Sequence, residues 1–422
     1  MTAEGRAIFP FAFGNDSGHG TLLVMAYTLE QQPSEYSAAF NPLSFVVRES
    51  NTAITGAANF RYLCEVEVDG TIQAKLKAPI RYGSSQNEAV FNITEIIASY
   101  VGNDFEPPSG SAITKQPRIV EWKGKFGYES GSGVISESTG VVNTSSKYSW
   151  DACLPISEWN TFNVADYLTA SGGTAGAKFL TDIRPRTVQA DEQHSVTALF
   201  GTDTANKVFE FKAYTAAGTL IDTELKTHTY SDYRSRLLAI DCEFDNIGFT
   251  LGSSVPAYYT LQCYPSGYAG KASETLRFNL VEECSKYDPV TLHFLNTLGG
   301  YDSYTFRKRT IRTLNADKKT YEQDSFQYST GSYAYSNRRG GVTNYNTMLT
   351  EQWLLNTDFM TDSEAEFIEQ LQFSPMVYMG SFSALEKVTV IGAEFERKYN
   401  RDGLVQYSVT IQRALKDRRQ RL

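Results

Sequence analysis

Apolar residues recur at every second position in short runs along most of this chain, the period of strands with one buried face. The clearest case is residues 60–68 and 71–79, which flank Asp69-Gly70, a dipeptide suited to a tight hairpin turn. Tyr62, Cys64, Val66 and Val68 share one face of the first run, and Leu63, Glu65 and Glu67 share the other. Residues 43–47 and 90–94 read as further strands of the same unit, with a short helix over 95–101. A second series follows at residues 195–200, 207–214, 219–227, 237–244, 258–264 and 275–281. Gly, Pro and Ser turns separate these strands, which predicts an antiparallel sandwich. Helical spacing is rare. It is clearest after Thr361-Asp362-Ser363-Glu364, a capping box that opens a helix with Phe367, Ile368 and Leu371 on one face. Ser374-Pro375 stops it, and residues 387–398 and 404–413 predict a closing hairpin across Asn400-Arg401-Asp402-Gly403.

The expected fold is therefore mainly β, with two antiparallel β-sandwich (Ig-like) domains and a smaller C-terminal α+β domain. Residues 1–40 would form an arm or hairpin, 41–105 the first β domain, 112–285 the second sandwich, and 286–422 the C-terminal domain. The first boundary rests on residues 106–111, EPPSGS, because Pro-Pro and Gly/Ser interrupt regular structure. Residues 129–176 are expected to be long loops, beginning with the Gly/Ser/Thr-rich stretch 129–146. Residues 321–345, rich in Tyr, Ser and Gly with Arg338-Arg339, predict a protein-contact loop, which the acidic balance favours over the other reading, tyrosines stacking on nucleic-acid bases.

Residues 281–306, VEECSKYDPVTLHFLNTLGGYDSYTF, place paired glycines between two apolar runs. Glycine supplies backbone angles that other residues resist, so Gly299 and Gly300 predict a strand–turn–strand joint ahead of the C-terminal domain. Asp302 is expected to hydrogen-bond the backbone of that turn, and Gly299, Gly300 and Asp302 form the candidate structural joint. A phosphate loop is excluded, since no third glycine and no GK[ST] ending follow.

Composition adds the surface. The chain holds 26 Tyr and 25 Phe, and Tyr is favoured at contacts because one end is apolar and the other polar. A net charge of −9 argues against a general nucleic-acid binder and against adhesion to an anionic membrane. The first residues lack the pattern of a signal peptide, and no apolar run approaches the ~20 residues that span a bilayer. Synthesis in a cytoplasm is the expectation. Five cysteines, widely spaced and without CxxC, argue against a disulfide framework or a zinc site. Four histidines lie in separate segments, with neither HExxH nor GxSxG present, so no catalytic, cofactor or metal residues are expected. Two clusters are candidate protein contacts: Tyr333, Tyr335, Arg338 and Arg339, and the terminal Arg418, Arg419 and Arg421. The terminal arginines oppose the acidic balance of the chain. They would dock on an acidic surface of a neighbouring copy or ring protein; a solvated tail and a weak contact with DNA are the other readings.

The pattern Cys284-x-Lys286-Tyr287-x-Pro289-Val290-x-Leu292-x-Phe294-Leu295-Asn296-x-x-Gly299-Gly300-Tyr301-Asp302-x-x-x-Phe306 resembles a block in tail structural proteins of crAss-like and related phages that infect Bacteroidetes. Asn59-Phe60-Arg61-Tyr62, Phe91-Asn92-Ile93, residues 179–225, and the closing helix with Ser374-Pro375-x-Val377-Tyr378 are similar to the same family. The resemblance implies a non-enzymatic virion component of the tail or neck, a ring, hub or connector without cofactors. Its partners would be copies of itself and other tail or portal proteins, with a transient contact to phage DNA and no membrane insertion. The alternative is a receptor- or glycan-binding tail fibre protein, which should show trimeric repeats or a coiled coil. A secreted polysaccharide hydrolase is disfavoured by the missing signal pattern and the unpaired carboxylates.

Overall fold

The computed structural model describes residues 27–83, 87–102, 104–108, 113–169, 176–182, 186–201, 204–265, 273–282, 286–324, 326–329, 331–335, 338, 340–394 and 405–421. Strand makes up 51% and helix 10%, so the chain is mainly β, in several antiparallel and mixed sheets.

The first core lies between two sheets. One orders Tyr27–Gln31, Ser44–Glu49 and Glu88–Asn92. The other orders Tyr36–Ala38, Lys147–Trp150, Ile119–Ser130, Arg61–Val68 and Thr71–Ala78, with Ser136–Asn143 also paired to Ile119–Ser130. Phe45, Val47 and Phe91 from the first sheet meet Tyr62, Cys64, Val66, Trp122 and Phe126 from the second. The predicted hairpin is present, and Asp69 and Gly70 take φ of 48° and 77° in its turn. On the opposite face Glu65 reaches Lys75 at 3.3 Å and Glu67 reaches Lys125 at 2.5 Å.

Three expectations differ here. Strands on either side of residues 106–111 share one sheet, Arg61–Val68 pairing with residues 122–129 along its whole length. The Pro-Pro stretch is a connector, but matched apolar faces decide the pairing, and these cross it. Tyr27 belongs to the first core, so the described part of the N-terminal segment is built into this body; residues 1–26 lie outside the described residues. Within the expected loop at 129–146, Ser136–Asn143 is a strand on Ile119–Ser130. Its residues are mostly exposed, so it lacks the apolar alternation that reveals a strand.

A second core lies between the sheet Leu168–Thr169, Ser195–Phe200, Leu237–Asp241, Ile113–Lys115 and the sheet Arg186–Val188, Leu276–Leu280, Tyr258–Tyr264, Lys207–Tyr214, Leu220–His228. Phe200, Phe209, Phe211, Tyr259 and Phe278 fill it. Cys242 and Cys263 are buried there as Cys64 is in the first core, while Cys153 is exposed; these four described cysteines are free thiols.

The C-terminal part is one eight-stranded sheet. Its order is Tyr301–Phe306, Val290–Leu295, Val377–Met379, Glu386–Glu394, Ser408–Arg413, Gly341–Asn356 and Ile311–Gln323. Asp417–Arg421 pairs with Gly341–Asn356 as well. Helix Asp362–Phe373 packs Phe367, Ile368 and Leu371 onto it, and the expected capping box is formed, Glu364 accepting from the Thr361 amide at 2.9 Å. The turn expected at 400–403 lies outside the described residues.

Residues 311–356 hold the largest departure from the sequence reading. Ile311–Gln323 pairs along its whole length with 341–354, Tyr345 being bulged out of register, and all 13 of its residues are exposed. At about 3.3 Å per residue such a strand runs roughly 40 Å. Beyond it, Phe326–Ser329 pairs with Ser332–Tyr335 as a small terminal hairpin. The expected contact loop lies in a long β-arm; among the described residues Ser408–Arg413 braces it beside 352–356 and Asp417–Arg421 beside 346–349, which leaves 320–323 with 341–345 and the tip hairpin unbraced.

Candidate functional site

Two places gather the expected site residues, a buried joint and the arm. In the joint, Val290–Leu295 and Tyr301–Phe306 form the predicted hairpin. Gly299 takes φ +82°, as expected for its turn. A Cβ there would sit 2.4 Å from the Asp151 carbonyl oxygen and 2.5 Å from Trp150 Cδ1. Gly300 is needed for a different reason. Its φ is not positive, but a Cβ would sit 2.1 Å from the Leu180 carbonyl oxygen.

The turn is seated against both preceding bodies. Trp150 Nε1 donates to the Leu298 carbonyl at 2.7 Å, and Arg118 Nη1 to the Gly299 carbonyl at 2.8 Å. Asn296 Nδ2 donates to the Leu180 carbonyl at 2.8 Å, and the Tyr301 amide to Thr197 Oγ1 at 3.2 Å. Arg118 also lies 4.6 Å above the Tyr301 ring, on which Phe105 stacks at 4.2 Å. The glycines therefore sit where three bodies meet rather than two.

Asp302 does not bond the turn backbone as expected. Asn296 does that, its Oδ1 accepting from the Gly300 amide at 2.8 Å. Asp302, buried at 1% exposure, instead accepts from Thr181 Oγ1 at 2.7 Å and from Asn296 Nδ2 at 2.6 Å, with Arg186 at 4.0 Å. Burial pushes its carboxyl up to about 6, against the pull of Arg186. Asp151 is also raised to about 6 by burial, against Arg118. The neighbouring His293 contacts Ser303 Oγ at 2.7 Å and the Gly380 carbonyl at 3.0 Å, and burial pushes it down to about 4. The contacts of Asp302 with Thr181 and Arg186 cross from the C-terminal sheet to the second body, the arrangement of a latch, while those of His293 tie strands and a loop of the C-terminal body together.

The arm is fastened by a ladder of charges across four strands. Arg413 forks onto Glu386 at 2.7 and 2.6 Å and reaches Glu351 at 3.1 Å, and Arg312 contacts the same Glu351. Trp353 lies beneath both guanidinium groups, 5.9 Å from Arg312 and 5.6 Å from Arg413. Glu351→Ala takes a carboxylate from both arginines, which are themselves partly exposed, while Arg413 keeps Glu386. We expect a loss of about 1 kcal/mol at the root. Hydrogen exchange in 311–323 should quicken while the helix Asp362–Phe373 keeps its protection.

At the tip, Tyr333 stacks on Phe326 at 4.7 Å and meets Tyr328 at 5.1 Å. Tyr328 and Tyr333 are 67% and 68% exposed, an aromatic patch open to a partner. Arg338 is exposed in the turn beyond. The backbone of Tyr335 pairs with Phe326; its side chain, and all of Arg339, lie outside the described residues. The terminal arginines are not on a free tail. Arg421 pairs with Asn346 and Arg418 with Met348, while Arg419 falls at a register shift; their side chains lie outside the described residues. The two interface clusters, far apart in sequence, thus fall on one arm. The sequence reading missed Arg118, Trp150 and Arg186, because a residue that locks a distant turn carries no local pattern.

Among the described residues no group of three or more His, Cys, Asp or Glu is placed to hold a metal ion, and no helix is long and apolar enough to cross a membrane. The sequence matches no model of a known protein family, and no curated protein matches it either.

Proposed function

We propose that this chain is a non-enzymatic structural component of a phage virion, acting as a ring, hub or connector in the tail or neck. It would assemble with copies of itself and with adjacent tail or portal proteins, after synthesis in the bacterial cytoplasm. The resemblance over residues 284–306 supports the tail setting. The arm carries the assembly reading. Thirteen consecutive exposed strand residues, ordered outside any core, offer a bare sheet edge that invites pairing. In this account the buried joint keeps three bodies in one relation, so that the arm is presented in one direction. We further read the first two bodies as Ig-like sandwiches, supported by the single core that each encloses between two sheets. The parallel pairs Tyr36–Ala38 with Lys147–Trp150, Leu168–Thr169 with Ser195–Phe200 and Arg186–Val188 with Leu276–Leu280 depart from the antiparallel pattern expected.

Shortening the arm tests the reading. With residues 320–345 replaced by Asn-Gly, none of the described residues removed belongs to a core, and melting should not change. Assembly, followed by sedimentation velocity and by incorporation into particles, should fail. Particles that take up the shortened chain at the normal level would overturn the proposal. Binding of the intact chain to glycans, abolished by removing Tyr328 and Tyr333, would move the function to receptor recognition.

A further inference from the structure

Two bare sheet edges of this chain carry opposite charge patterns. Ile311–Gln323 ends the eight-stranded sheet, and Leu220–His228 ends the five-stranded sheet of the second body; no other described strand pairs with the outer side of either. Along the arm edge the exposed charges near the tip run Asp317, Lys318, Lys319, Glu322. Along the other edge the charges run Asp222, Glu224, Lys226, all three half-buried. Asp222 and Lys226 are four residues apart and share a face, as are Lys318 and Glu322. The residue inserted at each hairpin's register shift is Ile221, just ahead of Asp222, and Tyr345 on the partner strand at the Lys319–Thr320 step, so 222–226 and 318–322 each run without an inserted residue of their own.

The geometry points to a head-to-tail contact in which the arm of one copy adds as a strand to the 220–228 edge of the next copy. Run in the same direction, the two edges set Asp222 opposite Lys318 and Lys226 opposite Glu322, with Leu225 opposite Tyr321. No like charges face each other in that alignment. Leu220 and Leu225 are 49% and 50% exposed, and Tyr321 is 43% exposed, so the contact would also cover apolar surface. Asp222 keeps its place because its carboxylate accepts from the Thr223 amide at 2.8 Å and the Thr250 amide at 2.6 Å. The wider field agrees. Residues 307–345 hold eight basic and three acidic residues, whereas 151–282 hold ten basic and sixteen acidic. A contact between two different surfaces of the same chain repeats from copy to copy, closing a ring or extending a filament.

The contact rests on the assembly reading above, and a charge swap separates the two. Lys226→Glu and Glu322→Lys each set like charges across the ladder and should weaken self-association about three- to tenfold. The double variant should return it to within about twofold of the parent. Melting of each variant checks the fold. As a second readout, assembly should slow amide exchange in 220–228 and 311–323 together. An assembly in which those amides exchange as in the monomer, or in which the swap restores nothing, overturns this contact and leaves the assembly reading standing. A chain that stays monomeric at its highest soluble concentration overturns both.

Discussion

Gly300→Ala should cost about 3 kcal/mol of folding stability, and Gly299→Ala about 4 kcal/mol, although each adds one methyl group. At Gly300 the added carbon meets the Leu180 carbonyl oxygen at 2.1 Å, and backbone on both sides is held by hydrogen bonds that resist a shift. At Gly299 it meets the Asp151 carbonyl at 2.4 Å and the Trp150 ring at 2.5 Å, and the positive φ adds strain of its own. Gly252→Ala is the matched control. Its φ is +57° with nothing within 4 Å of the new carbon, so only the backbone strain of about 1 kcal/mol applies. Urea unfolding of the three variants measures the series. If Gly300→Ala unfolds with Gly252→Ala, the turn is not seated against the second body.

Asp302→Asn should destabilise the chain by an amount that grows on acidification. An asparagine can accept from Thr181, but its amide then faces the amide of Asn296, which already donates to Leu180. That exchange costs about 1–3 kcal/mol wherever the wild-type carboxyl is protonated. The carboxyl is raised to about 6 in the folded chain, from about 4 when unfolded. Its favourable contribution is therefore complete below pH ~4 and is lost as pH rises through ~6, at about 1.4 kcal/mol per pH unit between them. The gap between wild type and variant should widen by about 1 kcal/mol from pH 7 to pH 5. Wild-type stability alone would hide this. His293, pushed down to about 4 by burial, loses stability on acidification through the same window, and His194, also lowered, acts with it. A gap independent of pH would show Asp302 to be ionised throughout.

Much of the fold was legible where one strand face had to be buried. The hairpin at Asp69-Gly70, the hairpin Lys207–Tyr214 with Leu220–His228, the capped helix and the hairpin around Gly299 all follow from apolar spacing and turn chemistry. The arm was not legible for the same physical reason. Both faces of Ile311–Gln323 meet water, so Arg312, Asn315, Lys318 and Lys319 occupy positions that a core would keep apolar. One clue was present: Phe326-Gln327-Tyr328-Ser329 and Ser332-Tyr333-Ala334-Tyr335 mirror each other about Thr330-Gly331, the form of a hairpin. In the joint, Gly299 and Gly300 were legible from type and spacing. Their partners Trp150, Leu180 and Arg118 lie more than a hundred residues away, and only the packed structure brings them together.

Assembly through the arm is the central claim, and imaging of intact particles at a resolution that traces the backbone tests it most directly. The account predicts repeated copies of this chain in the tail or neck, each with residues 311–345 lying against the neighbouring copy. Density in which every arm projects into solvent, or in which the chain stands as an isolated monomer, would contradict it.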